Sequence, residues 1–150
     1  MSYPLHTLLH RTAHSQQNYL RPYLRRLGLS PGQPKVLRSL ELLGVCSQRE
    51  LAELCGVDPA AISRTLERME RAGLLTREAS ASDRRTGQVR LTEQGHRAFR
   101  AWEAECAALE ERMFSGFSPA ERAQLAGYLT RAWHNMGGRL PEDLAGREKR

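Results

Sequence analysis

The sequence predicts a mainly α chain with a small β-wing: two short helices and a β-hairpin at its centre, and longer helices at both ends. Three observations carry this. Residues 47–73 read as two short helices, each with a capping residue at its start and a glycine at its end, joined by a tight turn. Residues 74–92 read as two short strands around a polar tip. Residues 4–28 and 92–136 carry apolar side chains at helical spacing. Two helices joined by a short glycine-containing turn form a helix-turn-helix, and a hairpin directly after them forms a wing.

In chain order, Leu5, Leu8, Leu9, Ala13, Leu20, Leu24 and Leu27 outline a first helix over residues 4–28, ended by Gly28. Pro22 lies inside this pattern and is expected to kink or interrupt the helix near Leu20. His6, His10 and His14 lie four apart on one stripe, a spacing able to hold a metal between turns. No adjacent Cys, Asp or Glu completes such a site, so a polar stripe at a dimer contact or pocket wall is the simpler reading, and no metal or cofactor is assigned. Ser30-Pro31-Gly32-Gln33 resembles a cap, opening a helix from Gln33 or Pro34 to Leu43 with Val36, Leu37, Leu40 and Leu43 inward. Gly44-Val45-Cys46 is a short extended link suited to a third strand of the wing sheet.

Ser47-x-x-Glu50 is a capping box, and the helix it opens carries Leu51, Ala52 and Leu54 on one face before stopping at Gly56. Asp58 caps the next helix, with Pro59 at its first position, where a missing N–H costs nothing. That helix is expected to bury Ile62, Leu66 and Met69 and to end at Gly73. Its outer face starts with small residues (Ala60, Ala61, Ser63) and continues with Arg64, Arg68 and Arg71 in rows three and four apart. Small residues let a helix backbone sink into a major groove, and the arginines beyond can reach guanine edges or phosphates. The same face also suits an ordinary solvated helix, since Glu67 and Glu70 offset part of the charge.

Leu74-Leu75-Thr76-Arg77 and Gln88-Val89-Arg90-Leu91 read as the wing strands, with a tip from Ser80 to Gly87 that contains Asp83, Arg84 and Arg85. An arginine tip beside a groove-reading helix suits a narrow, negatively charged minor groove. Asp83 fits such a tip if it aims a neighbouring arginine by a charge-assisted hydrogen bond. The DNA-contacting candidates are therefore Ala60, Ser63, Arg64, Arg68, Arg71, Asp83, Arg84 and Arg85.

Thr92 caps a helix to about Phe114, with His96, Phe99, Trp102 or Glu103, Cys106, Leu109 and Met113 near one stripe. Gly116 and the cap Ser118-Pro119-Ala120-Glu121 separate it from a last helix with Leu125, Leu129, Ala132, Trp133 and Met136 on its apolar face, ended by Gly137-Gly138. The charged tail from Pro141 to Arg150 is expected to fray.

The run from Val57 to Gly95 resembles the winged helix-turn-helix of the MarR family of bacterial transcriptional regulators. The matching residues are Leu51-Ala52, Val57-Asp58, Leu66 and Met69, Gly73-Leu74, Arg77, the wing pattern Asp83-x-Arg85, and Leu91-Thr92-x-x-Gly95. The wing pattern closing in Leu-Thr-x-x-Gly is the specific part, and the likeness extends more loosely over the whole chain. It implies one domain, with residues 30–92 as the DNA-binding part, 1–29 and 93–140 as dimerisation helices and 141–150 as a flexible tail. It further implies a crevice between the two parts that takes small phenolic or other aromatic anions. Candidate walls are His10, Arg11, His14, Tyr19 and Trp102, which as dimer contacts would need no ligand. The hydroperoxide-sensing branch of the family places its reactive cysteine near the N-terminus, and no cysteine here precedes Cys46.

Composition agrees with a single domain able to build a core: 150 residues, net charge +6 and pI near 9.8. Residues 1–40 hold six basic side chains and no acid, which equals the whole excess, so the winged region is nearly balanced. DNA affinity would then come from placed arginines. No long apolar run or signal-peptide pattern occurs, which predicts a cytoplasmic protein without a membrane partner. Cys46, Cys55 and Cys106 form an odd, widely spaced set with no Cys-x-x-Cys, so neither a disulfide framework nor a zinc finger is indicated. No Gly-rich phosphate loop, His-Glu-x-x-His or nucleophile motif supports an enzyme. The terminal helices carry more apolar surface than a winged core this small can cover, which a two-fold homodimer would bury. The expected function is a homodimeric repressor on an inverted-repeat operator in double-stranded DNA, released by a small aromatic effector. The alternatives are a thiol-responsive regulator and a winged module that binds protein.

Overall fold

The structure, a computed structural model, describes residues 2–79 and 87–139. The elements in chain order are α1 (Leu5–Arg26), α2 (Gln33–Leu43), β1 (Val45–Ser47), α3 (Gln48–Cys55), α4 (Pro59–Arg71), β2 (Leu75–Glu78), β3 (Gln88–Leu91), α5 (Glu93–Met113) and α6 (Pro119–Asn135). Most of the wing tip, with Asp83, Arg84 and Arg85, and the tail from Pro141 onward lie outside the described residues.

Local chemistry sets the helix starts. The Ser47 hydroxyl accepts from the Glu50 N–H at 3.2 Å, and the Ser47 N–H donates back to the Glu50 carboxylate at 2.6 Å. Asp58 accepts from the Ala61 N–H at 2.9 Å. Ser118 and Glu121 repeat the reciprocal box at α6. Between α3 and α4, Gly56 takes φ +62°, a conformation that glycine adopts without the steric cost of a Cβ.

Three sheet strands pair antiparallel in the order β1-β3-β2, so Val45–Ser47 is indeed the third strand. The register sets Cys46 opposite Val89 and Leu75 opposite Leu91, putting these four on the buried face. Beneath them Val36, Leu37, Leu40, Leu51, Ile62, Leu66 and Met69 close one core, extended by Leu20, Trp102 and Leu109 where α1 and α5 meet.

The junction between wing and α5 explains the Leu91-Thr92-x-x-Gly95 pattern. Thr92 accepts from the Gly95 N–H at 3.1 Å while its own hydroxyl donates to the Gly73 carbonyl at 2.6 Å. Its N–H donates to the Leu74 carbonyl at 3.1 Å. Gly95 lies so close to that carbonyl that an added Cβ would stand 2.0 Å from its oxygen. One threonine and one glycine thus stitch the end of α4, the wing and α5 together.

Four expectations need correction. Helix α1 runs through Pro22 without interruption. Asn18, whose carbonyl has no helical donor at Pro22, is an exposed residue, and Leu20 on one side and Tyr23, Leu24 and Leu27 on the other hold both halves to the same core. At α2 the N-cap is Gly32 with no side-chain cap, and it is Gln33 that folds back to accept from the Ser30 N–H at 3.1 Å. Leu43 is 39% exposed, because the backbone turns at Gly44 before that face reaches the core. In α3 the third buried position is Cys55, with Leu54 only half-buried.

No residue of α6 is buried, and the N-terminal half of α1 is equally bare. Leu5, Leu8, Leu9, Leu129, Trp133 and Met136 are between 41% and 87% exposed. Arg122 fixes only the root of α6, donating to Glu111 at 2.8 Å and to the Phe114 carbonyl at 3.1 Å. No helix among the described residues is long and apolar enough to cross a membrane.

Candidate nucleic-acid interface

Helix α4 divides cleanly into two faces. Ile62, Leu66 and Met69 are at most 1% exposed. At 3.6 residues per turn, Arg64, Arg68 and Arg71 fall within about 60° of one another, about 160° round from that buried row. All three arginines are exposed, and none forms a hydrogen bond or ion pair among the described residues. Ala60 stands on the same side at the exposed first turn, while Ala61 and Ser63 are half-buried.

Neither acidic residue beside this face pairs with its arginines among the described residues. Glu70 is held by Arg77 of β2, whose backbone N–H donates to one carboxylate oxygen at 3.1 Å and whose guanidinium donates to the other at 3.1 and 3.4 Å. That clasp ties the C-terminal half of α4 to the wing at a set spacing. Glu67 makes no bond among the described residues.

Two open grooves flank α4. One lies between α4 and the wing strands, bordered by Ser63, Glu67, Glu70, Arg77 and Glu78. The other lies between α3 and the start of α4, bordered by Arg49, Glu53, Pro59, Ala60 and Ser63. Ser63 borders both, so it sits near the middle of this surface. Arg49 was missed by the sequence reading, although its position held a signal. A cation in the first turn of a helix opposes the helix dipole, and such a placement suits an anion brought from outside. Its only ion pair among the described residues, with Glu53 at 3.9 Å, is exposed and weak.

Behind this surface, α2 is bolted to α5 by the ion pair of Arg38 with Glu103 and by a hydrogen bond between His96 and Glu41 at 2.6 Å. The effector candidates are dispersed. His10, Arg11 and His14 are exposed on α1, with the two histidine rings stacked at 6.5 Å between centroids and Arg11 over the Tyr3 ring. Tyr19 lies nine residues beyond His10, about 13 Å further along and on the opposite side of the helix. It packs beside the core under Arg112, and Trp102 is buried within the core. One protomer therefore does not bring these five residues to one point. Among the described residues no group of three His, Cys, Asp or Glu side chains could hold a metal ion.

The cysteines are built into the interior. Burial pushes the Cys46 thiol up to about 12, helped by the nearby Glu50 carboxylate. Burial likewise raises Cys55 and Cys106, in Cys55 against opposing effects of Ser39 and Lys35. None has the lowered pKa that makes a thiol reactive at neutral pH.

Comparison with known proteins converges on one family. The MarR family model matches residues 29–86. A MarR-family transcriptional regulator from Silicibacter pomeroyi is 26% identical, with a TM-score of 0.73 over 85% of this chain and 86% of its own. A cysteine-to-serine variant of MarR from E. coli, complexed with operator DNA, is 26% identical, with a TM-score of 0.74 over 86% and 93%. BpsR of Bordetella bronchiseptica, whose DNA binding is regulated by 6-hydroxynicotinic acid, shares the fold at 24% identity, with a TM-score of 0.75 over 88% and 94%. In its capped helix-turn-helix, three-stranded wing sheet and exposed arginine row, this chain is similar to the MarR family of winged-helix transcriptional regulators, whose family model matches its residues 29–86.

Proposed function

We propose that the protein is a homodimeric repressor that reads an inverted-repeat operator with α4 and the wing and lets go when a small aromatic anion binds. The observation that carries this is the row Arg64, Arg68 and Arg71, unpaired among the described residues and held opposite a fully buried face. A helix fixed in this way presents cations outward without side-chain bonds to break first, and Ala60 and Ser63 leave room for a groove wall. Arg84 and Arg85, aimed by Asp83, serve the adjoining minor groove in this reading.

Residues 1–29 and 93–140 form the dimer in the same reading. The exposed apolar side chains of α1 and α6 support it, since a second copy would take them out of water. Two copies of α4 about one helical turn apart would then read the two half-sites. The effector site draws on His10, Arg11 and His14 of α1, with Tyr19 and Trp102 as its apolar backing. Because these residues do not converge in one protomer, the second copy completes the site. Ligand and operator would favour different spacings of the two α4 helices and so oppose each other reciprocally. The raised thiol pKa values count against the thiol-responsive alternative.

The test is selection of binding sites from randomised duplexes by the full chain, followed by anisotropy titration of the selected and a scrambled duplex at fixed salt. A palindromic site bound by two chains, and released by an aromatic acid such as salicylate, is the expected result. Equal binding to both duplexes would refute operator reading and favour a protein-binding wing.

A further inference from the structure

Of the two carboxylates on the outer half of α4, one is occupied and one is not. Glu70 accepts three hydrogen bonds from Arg77, so its charge is absorbed in joining helix to wing. Glu67 is exposed and makes no bond among the described residues. By helical geometry it stands about 40° from Arg71 and about 40° from Ser63, between the arginine row and the wing-side groove that it borders. A bare carboxylate at that place repels phosphate and must be desolvated when a duplex docks. That cost is recovered where the duplex offers a donor. In the major groove the base that offers a donor without a neighbouring acceptor is cytosine, through its N4 amino group.

We infer that Glu67 is a specificity-determining residue that accepts a hydrogen bond from a cytosine N4 amino group, fixing one C·G pair in each half-site and penalising other bases there. This rests on the operator-reading function proposed above and deepens it. Two features of the fold make Glu67 suited to the role. Its removal breaks no bond among the described residues, so it is not needed to build α4. Its neighbour Ser63, one turn earlier in the same row, is small and borders both grooves, which leaves room for a base edge to approach Glu67.

The experiment is selection from randomised duplexes by the full-length protein and its Glu67→Ala and Glu67→Gln variants, with anisotropy on duplexes changed at single positions. Helical circular dichroism and thermal midpoints check that the variants fold. The wild type should prefer cytosine at one symmetric pair of positions by roughly tenfold or more. Glu67→Ala should lose preference there alone while tightening on non-specific DNA. Glu67→Gln should shift the preference towards adenine, whose N6 and N7 suit an amide. A wild-type site whose base preferences survive Glu67→Ala unchanged, with uniformly tighter binding, would overturn this inference and leave the operator reading standing. A wild type that selects no site at all would overturn both.

Discussion

Arg77 decides what the acidic residues of α4 do. Sequence spacing alone let Glu67 and Glu70 offset the arginines of their own helix. The fold instead gives Glu70 to a strand residue seven positions on, a partner that helical periodicity cannot reveal. The same limit applied to Arg49, whose place beside Ala60 exists only once α3 and α4 are packed. Other residue-level features were legible because they depend on neighbours in sequence: the boxes at Ser47 and Ser118 and the cap at Asp58 all form as read. Gly95 was legible as a pattern, and its cause is tertiary. Gly95→Ala should lower stability by about 1–3 kcal/mol, because the Leu74 carbonyl cannot recede without dragging β2. An unchanged thermal midpoint would show that the junction yields. Cys46 gives a pH test. Its folded-state pKa is raised from 9.0 to about 12, so the neutral thiol favours the folded state. That contribution is fully present below about pH 9 and is lost as pH rises towards 12. A thiol-specific dye should therefore leave native Cys46 unmodified at pH 7 and label it after denaturation. Rapid native labelling at Cys46 would contradict the burial argument.

Among the elements, α4 was read most fully, since a buried row at positions 62, 66 and 69 and an arginine row opposite it are both periodic signals. Helix α1 was read least well. A proline within a helix is locally unfavourable, and the packing on both sides of Pro22 that overrides it is invisible to a local rule. Leu43 failed for the reverse reason: its spacing fits the α2 stripe, but the chain turns away one residue later. Capping energetics belong at this scale. Asp58→Ala should destabilise α4 and with it the protein by about 1 kcal/mol, measured by chemical denaturation. Since Asp58 also orients the first turn, which carries Ala60 and leads to Ser63, operator affinity should fall as well. Lost affinity with undiminished stability would instead assign Asp58 a direct role at the DNA.

For the whole molecule, α1 and α6 leave apolar side chains exposed, and a second copy is the occupant proposed for them. Excess apolar residues in the terminal helices were countable in the sequence; that α6 finds no burial within one chain was not, because only the fold shows which faces remain uncovered. Leu129→Glu together with Trp133→Glu should convert the protein to monomers in sedimentation experiments and abolish tight operator binding while leaving the α4 core intact. A double variant that stays dimeric would place the interface elsewhere. The wing tip and the effector residues could be named from sequence, yet Asp83, Arg84 and Arg85 fall outside the described residues, and His10, Tyr19 and Trp102 do not meet in one protomer. The proposed pocket between copies would leave no periodic mark in one chain.

The claim on which the rest depends is that α4 reads bases through its exposed arginine row. The most direct test is anisotropy titration of wild type and Arg64→Ala into the selected operator and a scrambled duplex at matched salt. The account predicts a loss of about 1–3 kcal/mol on the operator and a much smaller one on the scrambled duplex. Equal losses on both would reduce Arg64 to a phosphate contact and contradict base reading by this residue.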